Sequence, residues 1–183
     1  MWKKARALEA ICRALGIPAP LEIERKFHVT GFDVSRIPAP VQPVGVTQYY
    51  LVSEEEGVVE RVRARSQGGG QAFYHTMKRL LRQGVREEIE RKITQKEYFA
   101  FLRRVDPRFG KVEKTRYCFV WKNQYFELDV FHLPHGLMLL EHELTHEDEE
   151  TVMPDFLAGH VRDVSDDPAF TNVEIARRLA RAA

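Results

Sequence analysis

Glu22-Ile23-Glu24-Arg25-Lys26-Phe27 is the stretch on which the fold turns. In an extended chain, side chains two positions apart share a face. Glu22, Glu24 and Lys26 therefore point one way, with Ile23 and Phe27 on the reverse. An ordinary amphipathic strand turns such charges to water. A closed barrel with the charges inside would hold cations and a polyanion. The same alternation recurs down the chain. Arg61, Arg63 and Arg65 share a face, as do Thr76 with Lys78. Arg86, Glu88 and Glu90 lie opposite Ile89, and Lys114 and Arg116 lie opposite Tyr117. Glu127 and Asp129 lie opposite Leu128 and Val130, and Glu141 and Glu143 lie opposite His142 and Leu144.

Like charges stacked two residues apart repel. Glu22 with Glu24, Arg61 with Arg63 and Glu141 with Glu143 do this on separate strands. A solvated outer face accounts for one such strand, but less well for all of them together. Repulsion is best tolerated where a counter-charge or ligand sits, and eight strands can enclose a ligand-sized lumen.

The chain has 183 residues, 44% hydrophobic and 30% charged, which suits one compact domain able to bury a core. Lys and Arg number 28 against 27 Asp and Glu, a net charge of +1, so bulk charge indicates neither a nucleic-acid nor a membrane partner. Cys12 and Cys118 are isolated thiols, which fits a reducing cytoplasm and not a disulfide framework. Trp2, Ala5, Leu8, Ile11, Cys12 and Leu15 recur at helical spacing. Residues 1–20 thus read as an amphipathic helix and linker, with Pro18 and Pro20 leading into the first strand. A signal peptide is not expected there, and no run reaches the length of a membrane span.

Residues 21–183 read as a single α+β domain. Strands are expected at Leu21–Thr30, Val46–Val52, Val58–Arg65, Gln71–Leu80, Val85–Arg91, Val112–Val120, Gln124–Phe131 and Gly136–Leu144. Gly68-Gly69-Gly70 marks a hairpin. Thr94–Arg104 reads as a helix with Thr94 at the N-cap and Glu97 completing a capping box. Two further helical stretches are expected near Glu150–Leu157 and Thr171–Ala182. Evenly spaced strands with short turns indicate an eight-stranded antiparallel barrel with flanking helices.

These blocks, taken in order, resemble the CYTH superfamily, the triphosphate tunnel metalloenzymes. Glu22-Ile23-Glu24-Arg25-Lys26 matches its ExExK signature. Gln48-Tyr49-Tyr50-Leu51, Arg61-Val62-Arg63, Thr76-Met77-Lys78, Arg86-Glu87-Glu88-Ile89-Glu90, Lys114-Thr115-Arg116-Tyr117, Glu127-Leu128-Asp129-Val130 and Glu141-His142-Glu143-Leu144 follow. The resemblance implies an eight-stranded tunnel whose members hydrolyse triphosphates or, in class IV adenylate cyclases, cyclise ATP. Some relatives place a Lys from the C-terminal region near the tunnel mouth, but no Lys follows Lys122 here.

The residue chemistry agrees. Lys26, Arg61, Arg63, Lys78, Arg86, Lys114 and Arg116 are candidate phosphate contacts. Glu22, Glu24, Asp129, Glu141 and Glu143 are candidate ligands for Mg²⁺ or Mn²⁺, two ions being expected. Glu22, Glu24, Lys26, Glu141 and Glu143 form the expected catalytic set, with Glu88 and Glu90 ranked behind it. Inorganic tripolyphosphate is the expected small-molecule substrate. The alternatives are a cyclase, a nucleoside or thiamine triphosphatase, and a non-catalytic polyphosphate- or nucleotide-binding module. Five carboxylates exceed what simple polyanion binding needs. The His132/His135 and His142/His146 spacings are expected to be structural, with His142 outside the tunnel.

Overall fold

The computed structural model describes residues 21–38, 41–82, 85–146 and 148–182. The helix and linker expected over residues 1–20 lie outside the described residues. Among the described residues nine strands form one antiparallel sheet: β1 (Leu21–Val29), β2 (Val44–Leu51), β3 (Val58–Gln67), β4 (Gly70–Arg82), β5 (Val85–Ile93), β6 (Val112–Trp121), β7 (Gln124–Phe131), β8 (Leu137–Glu143) and β9 (Val161–Asp163). Their order is β5-β4-β3-β2-β6-β7-β8-β1-β9, and β5 also pairs with β1. That pairing, Leu21 opposite Glu87 and Glu22 opposite Arg86, closes β1 to β8 into a barrel. Closure removes the unpaired edges that an open sheet would expose. Gly68 and Gly69 turn the β3–β4 hairpin at φ +56° and +81°, where a side chain would be strained.

The outer apolar face needs cover, and two different structures supply it. Helix α1 (Gln95–Phe101) starts as expected from the capping box: Thr94 Oγ1 accepts from Glu97 N, and the Glu97 carboxylate accepts from Thr94 N at 2.8 Å. The helix ends in a 3₁₀ turn, Leu102–Arg104. It buries Tyr98 against Leu51, Val62 and Ile93. On the other side, Phe27, Phe126, Leu128 and Leu140 pack under Phe32 and Ile37, carried by loops, and Leu157, carried by a 3₁₀ turn.

Two expectations fail in the tail. The helix expected at Glu150–Leu157 is only a 3₁₀ turn, Asp155–Leu157. Pro154 sits inside that stretch, excluding Met153 from helical geometry, and β-branched Thr151 and Val152 precede it. Val161–Asp163, not expected as a strand, pairs with β1 at Phe27–Val29. It was too short to show a period.

The C-terminal helix α2 (Asn172–Ala182) forms as expected and packs at one end of the barrel. Its buried Ile175 and Ala176 do not cover the barrel's outside. They pack with Tyr50, Val112, Phe131 and Leu139, whose strand partners place them on the inner face at one end of the barrel. Gly110 donates from its N–H to Ala176 O at 2.7 Å. A Cβ added at Gly110 would stand 2.6 Å from Leu179 Cβ and 2.9 Å from Ala180 N. Among the described residues no helix is long and apolar enough to cross a membrane.

Gly110→Ala is therefore expected to push α2 off the barrel end and destabilise the domain by ~1–3 kcal/mol, the usual cost of overpacking. Chemical denaturation of both forms checks this.

Candidate active site

In an antiparallel pair, directly opposed residues point to the same face. The observed register puts Glu24 opposite Glu143, Lys26 opposite Glu141, and Glu141 opposite Glu127. It puts Arg116 opposite Asp129, Arg61 opposite Thr76, Thr76 opposite Glu90, and Lys78 opposite Glu88. The charged alternation read from the sequence is thus one continuous inner surface. It encloses a cavity of about 300 Å³, lined by Glu22, Glu24, Lys26, Arg61, Arg63, Lys78, Arg86, Arg116, Glu141 and Glu143. Lys114 and Asp129 lie deeper, 2% and 0% exposed. Ten of the twelve candidate residues thus line the cavity, while Lys114 and Asp129 share the inner strand face but are buried behind it.

The charges are paired across the space. Lys78 donates to Glu22 at 2.6 Å and meets Glu88 at 2.6 Å. Lys26 stands 3.0 Å from Glu141 and 3.2 Å from Glu24. Arg86 reaches Glu24 at 3.1 Å. Arg116 forks onto Asp129, with Nε and Nη2 both at 2.7 Å, and also reaches Glu141 and Glu127. Lys114 donates to the same Asp129 carboxylate. Arg63 pairs with Glu90, which also accepts from Thr76 Oγ1 at 2.8 Å, and Arg61 reaches Glu88 at 3.5 Å.

Burial and charge move the pKa values in opposite directions at different positions. Burial opposes the Glu141 charge, but Lys26, Lys114 and Arg116 outweigh it and hold the carboxyl well below its usual range. Burial also opposes the Glu88 charge, yet Lys78 and Arg61 bring it down to about 2. Glu22 goes the other way. Burial raises it to about 7 against the pull of Lys78, helped by repulsion from Glu24 and Glu88. Burial likewise raises Glu143, with Glu127 and Glu88 adding to it. Burial lowers Lys114 to about 8 despite Asp129.

The donor set suits a hard divalent cation, because it is made of carboxylate oxygens. Burial raises both Glu22 and Glu143, and Glu24, two residues from Glu22 on β1 and opposite Glu143 on β8, repels both. Among the described residues no three donors form a ready-made metal cage. Asp129 spends both oxygens on Lys114 and Arg116.

Several lining residues lay beyond the candidate set. Arg65, Glu127 and Tyr50 face the cavity, and their alternation was visible in the sequence. Thr171, Asn172 and Val173 at the start of α2 also line it, with Asn172 Oδ1 3.5 Å from Lys114 Nζ. No period-two signal could reveal a helix terminus. These residues occupy the cavity wall in a chain that has no Lys after Lys122. Tyr49 and Phe73 pack outside, under α1. His142 is outside the lumen as expected, but it is fully buried, stacked on Phe126 at 4.8 Å with Nδ1 3.0 Å from Thr151 Oγ1.

No protein-family model and no curated protein matches the chain. Solved structures do. Two crystal structures of NE1496 are similar: one, described as a hypothetical protein, is 31% identical over 85% of this chain and 97% of that one, with a TM-score of 0.53. The other, described as an inorganic triphosphatase, is 29% identical over 85% and 94%, with a TM-score of 0.52. PH1819 from Pyrococcus horikoshii OT3, 21% identical over 69% and 80%, shares the fold at a TM-score of 0.53. With this fold, lumen and similarity, the chain belongs to the CYTH superfamily of triphosphate tunnel metalloenzymes.

A raised folded-state pKa means that Glu22 binds its proton more tightly in the fold than in the unfolded chain. Its contribution to stability is complete below about 4.5 and is lost as pH rises through about 7. In chelator, Glu22→Gln is expected to lose less stability than wild type across that window. Denaturation midpoints of the two proteins from pH 4.5 to 7.5 check this.

Proposed function

We propose that the protein hydrolyses triphosphates in a metal-dependent reaction, with inorganic tripolyphosphate, cleaved to pyrophosphate and phosphate, as its main substrate. The observation that carries this is the enclosed lumen in which Arg61, Arg63 and Lys78 face Glu22, Glu24 and Glu143 across one cavity. The similarity to NE1496, described as an inorganic triphosphatase, supports the same reading.

Each residue then has a role of its own. Arg61, Arg63, Lys78, Arg86, Lys26, Lys114 and Arg116 bind and align the phosphates, the guanidinium groups by bidentate contacts and the ammonium groups as point charges. Fixed in place before the reaction, they stabilise charge spreading over the transferring phosphoryl group. Glu22, Glu24, Glu141 and Glu143, with Asp129 behind them, would hold Mg²⁺ or Mn²⁺. When bound, such ions supply phosphate-charge neutralisation and an activated water. Glu141, bonded to Lys26 and Arg116, keeps those cations aimed into the lumen. The partner expected is a small polyanion rather than nucleic acid or membrane, and the proposed compartment is the cytoplasm.

Chelation with EDTA is expected to abolish phosphate release, and Mg²⁺ or Mn²⁺ to restore it; full turnover in excess chelator contradicts the metal role. Glu24→Gln or Glu143→Gln is expected to lower kcat by 10²-fold or more, on the order of a lost electrostatic contact at a reacting centre. Arg61→Ala or Lys78→Ala should also raise KM, because a phosphate partner is removed. Near-normal kinetics in all four variants would place the charges outside the reaction.

A narrow lumen whose cations are set along one continuous strand surface suits a linear phosphate chain better than a bulky base. Orthophosphate release at equal metal should show higher kcat/KM for tripolyphosphate than for ATP, with little release from pyrophosphate. Cyclic AMP as the main product from ATP would establish the cyclase instead.

A further inference from the structure

Two carboxylates stand on the wrong wall. The acidic groups of β1 and β8 gather on one side of the lumen, whereas Glu88 and Glu90 project from β5, beside the cations of β3 and β4. There they occupy the phosphate-binding side chains. Glu88 holds Lys78 at 2.6 Å and Arg61 at 3.5 Å. Glu90 holds Arg63, lies 3.7 Å from Arg65, and accepts from Thr76 Oγ1 at 2.8 Å. Among the described residues, the Nε donors of Arg61, Arg63 and Arg65 are nonetheless buried without an acceptor. Two carboxylates thus neutralise this wall in part and leave donors over for a larger anion.

We propose that Glu88 and Glu90 are internal counter-anions that set substrate specificity: entering phosphates displace them, and they return to expel product. The inference rests on the triphosphatase reading and deepens it. A carboxylate offers two oxygens on a tether. A phosphate chain offers more oxygens and more charge, so it can take over the guanidinium and ammonium contacts and also fill the unmet Nε donors. A longer chain spans Lys78, Arg61 and Arg63 together and offsets the loss of both carboxylate contacts. Orthophosphate covers one position and cannot. Once hydrolysis shortens the chain, the tethered carboxylates compete at a high effective concentration, as any intramolecular group does. The four cations are then re-paired and the fragments leave.

Glu88→Gln and Glu90→Gln test this. Glutamine keeps the shape and removes the charge. Inhibition of tripolyphosphate hydrolysis by orthophosphate and by pyrophosphate would be measured, together with direct calorimetric binding of both anions. Each variant is expected to bind both anions about tenfold more tightly than wild type, equivalent to ~1.4 kcal/mol. KM and kcat for tripolyphosphate should fall together, because product leaves more slowly. Unchanged or weakened anion binding would overturn the proposal and leave the two residues as supports that merely orient the arginines. Glu90→Gln removes the main partner of a buried arginine and risks misfolding. Glu88→Gln leaves Lys78 its contact with Glu22, so that variant alone suffices for the decision. Calorimetry needs no turnover, so the two claims separate: inert wild type refutes the hydrolase reading, while the anion affinities of the variants judge the counter-anion role.

Discussion

Asp129 has no solvent exposure, and both its oxygens are taken by Arg116 and Lys114. Arg116 continues to Glu141, Glu141 to Lys26, and Lys26 to Glu24. This chain of ion pairs crosses from β6 and β7 through β8 to β1. It is the constraint on which the rest depends, because it turns four strands' charged faces toward one another. Desolvating so many ions is costly, and apolar residues of similar volume would commonly be no less stable. Removing one partner would leave a buried charge uncompensated. The barrel therefore gives up an apolar interior, and the apolar residues that would fill it work elsewhere.

They work outside and at one end. Val62 and Ile93 lie under α1, Leu128 and Leu140 lie under Phe32 and Leu157, and Phe131 and Leu139 meet Ile175 of α2. Among the described residues three apolar clusters thus surround a polar lumen, the reverse of an ordinary globule. Fold and site are consequences of one inversion: the same alternation that sends Leu128 outward sends Glu127 and Asp129 inward.

This inversion explains how much of the fold is legible in the sequence. Period two is unambiguous in Glu22–Phe27 and Gln124–Phe131, so strand faces, the closed barrel and the lumen's charged set were all legible. The capping box at Thr94 and Glu97 was equally local. What failed was non-local or too short. Val161–Asp163 has three residues and no period of its own. Pro154 and a run of β-branched residues outweighed an apparently helical composition over Glu150–Leu157. The destination of α2 depends on a close approach at Gly110, which no amphipathic pattern encodes. Its start therefore reached the cavity unannounced, bringing Asn172 beside Lys114. Pairing was also hidden. Alternation places Glu88 and Glu90 in the lumen, but only the register shows that they face Lys78 and Thr76.

The central claim is that the charged lumen itself receives the phosphate chain. A crystal structure with tripolyphosphate and Mn²⁺, using the anomalous signal of manganese, tests it most directly. The account predicts the phosphate chain inside the barrel against Arg61, Arg63 and Lys78, with manganese among Glu22, Glu24, Glu141 and Glu143. Tripolyphosphate bound on the outer surface, or manganese absent from those carboxylates, would contradict it.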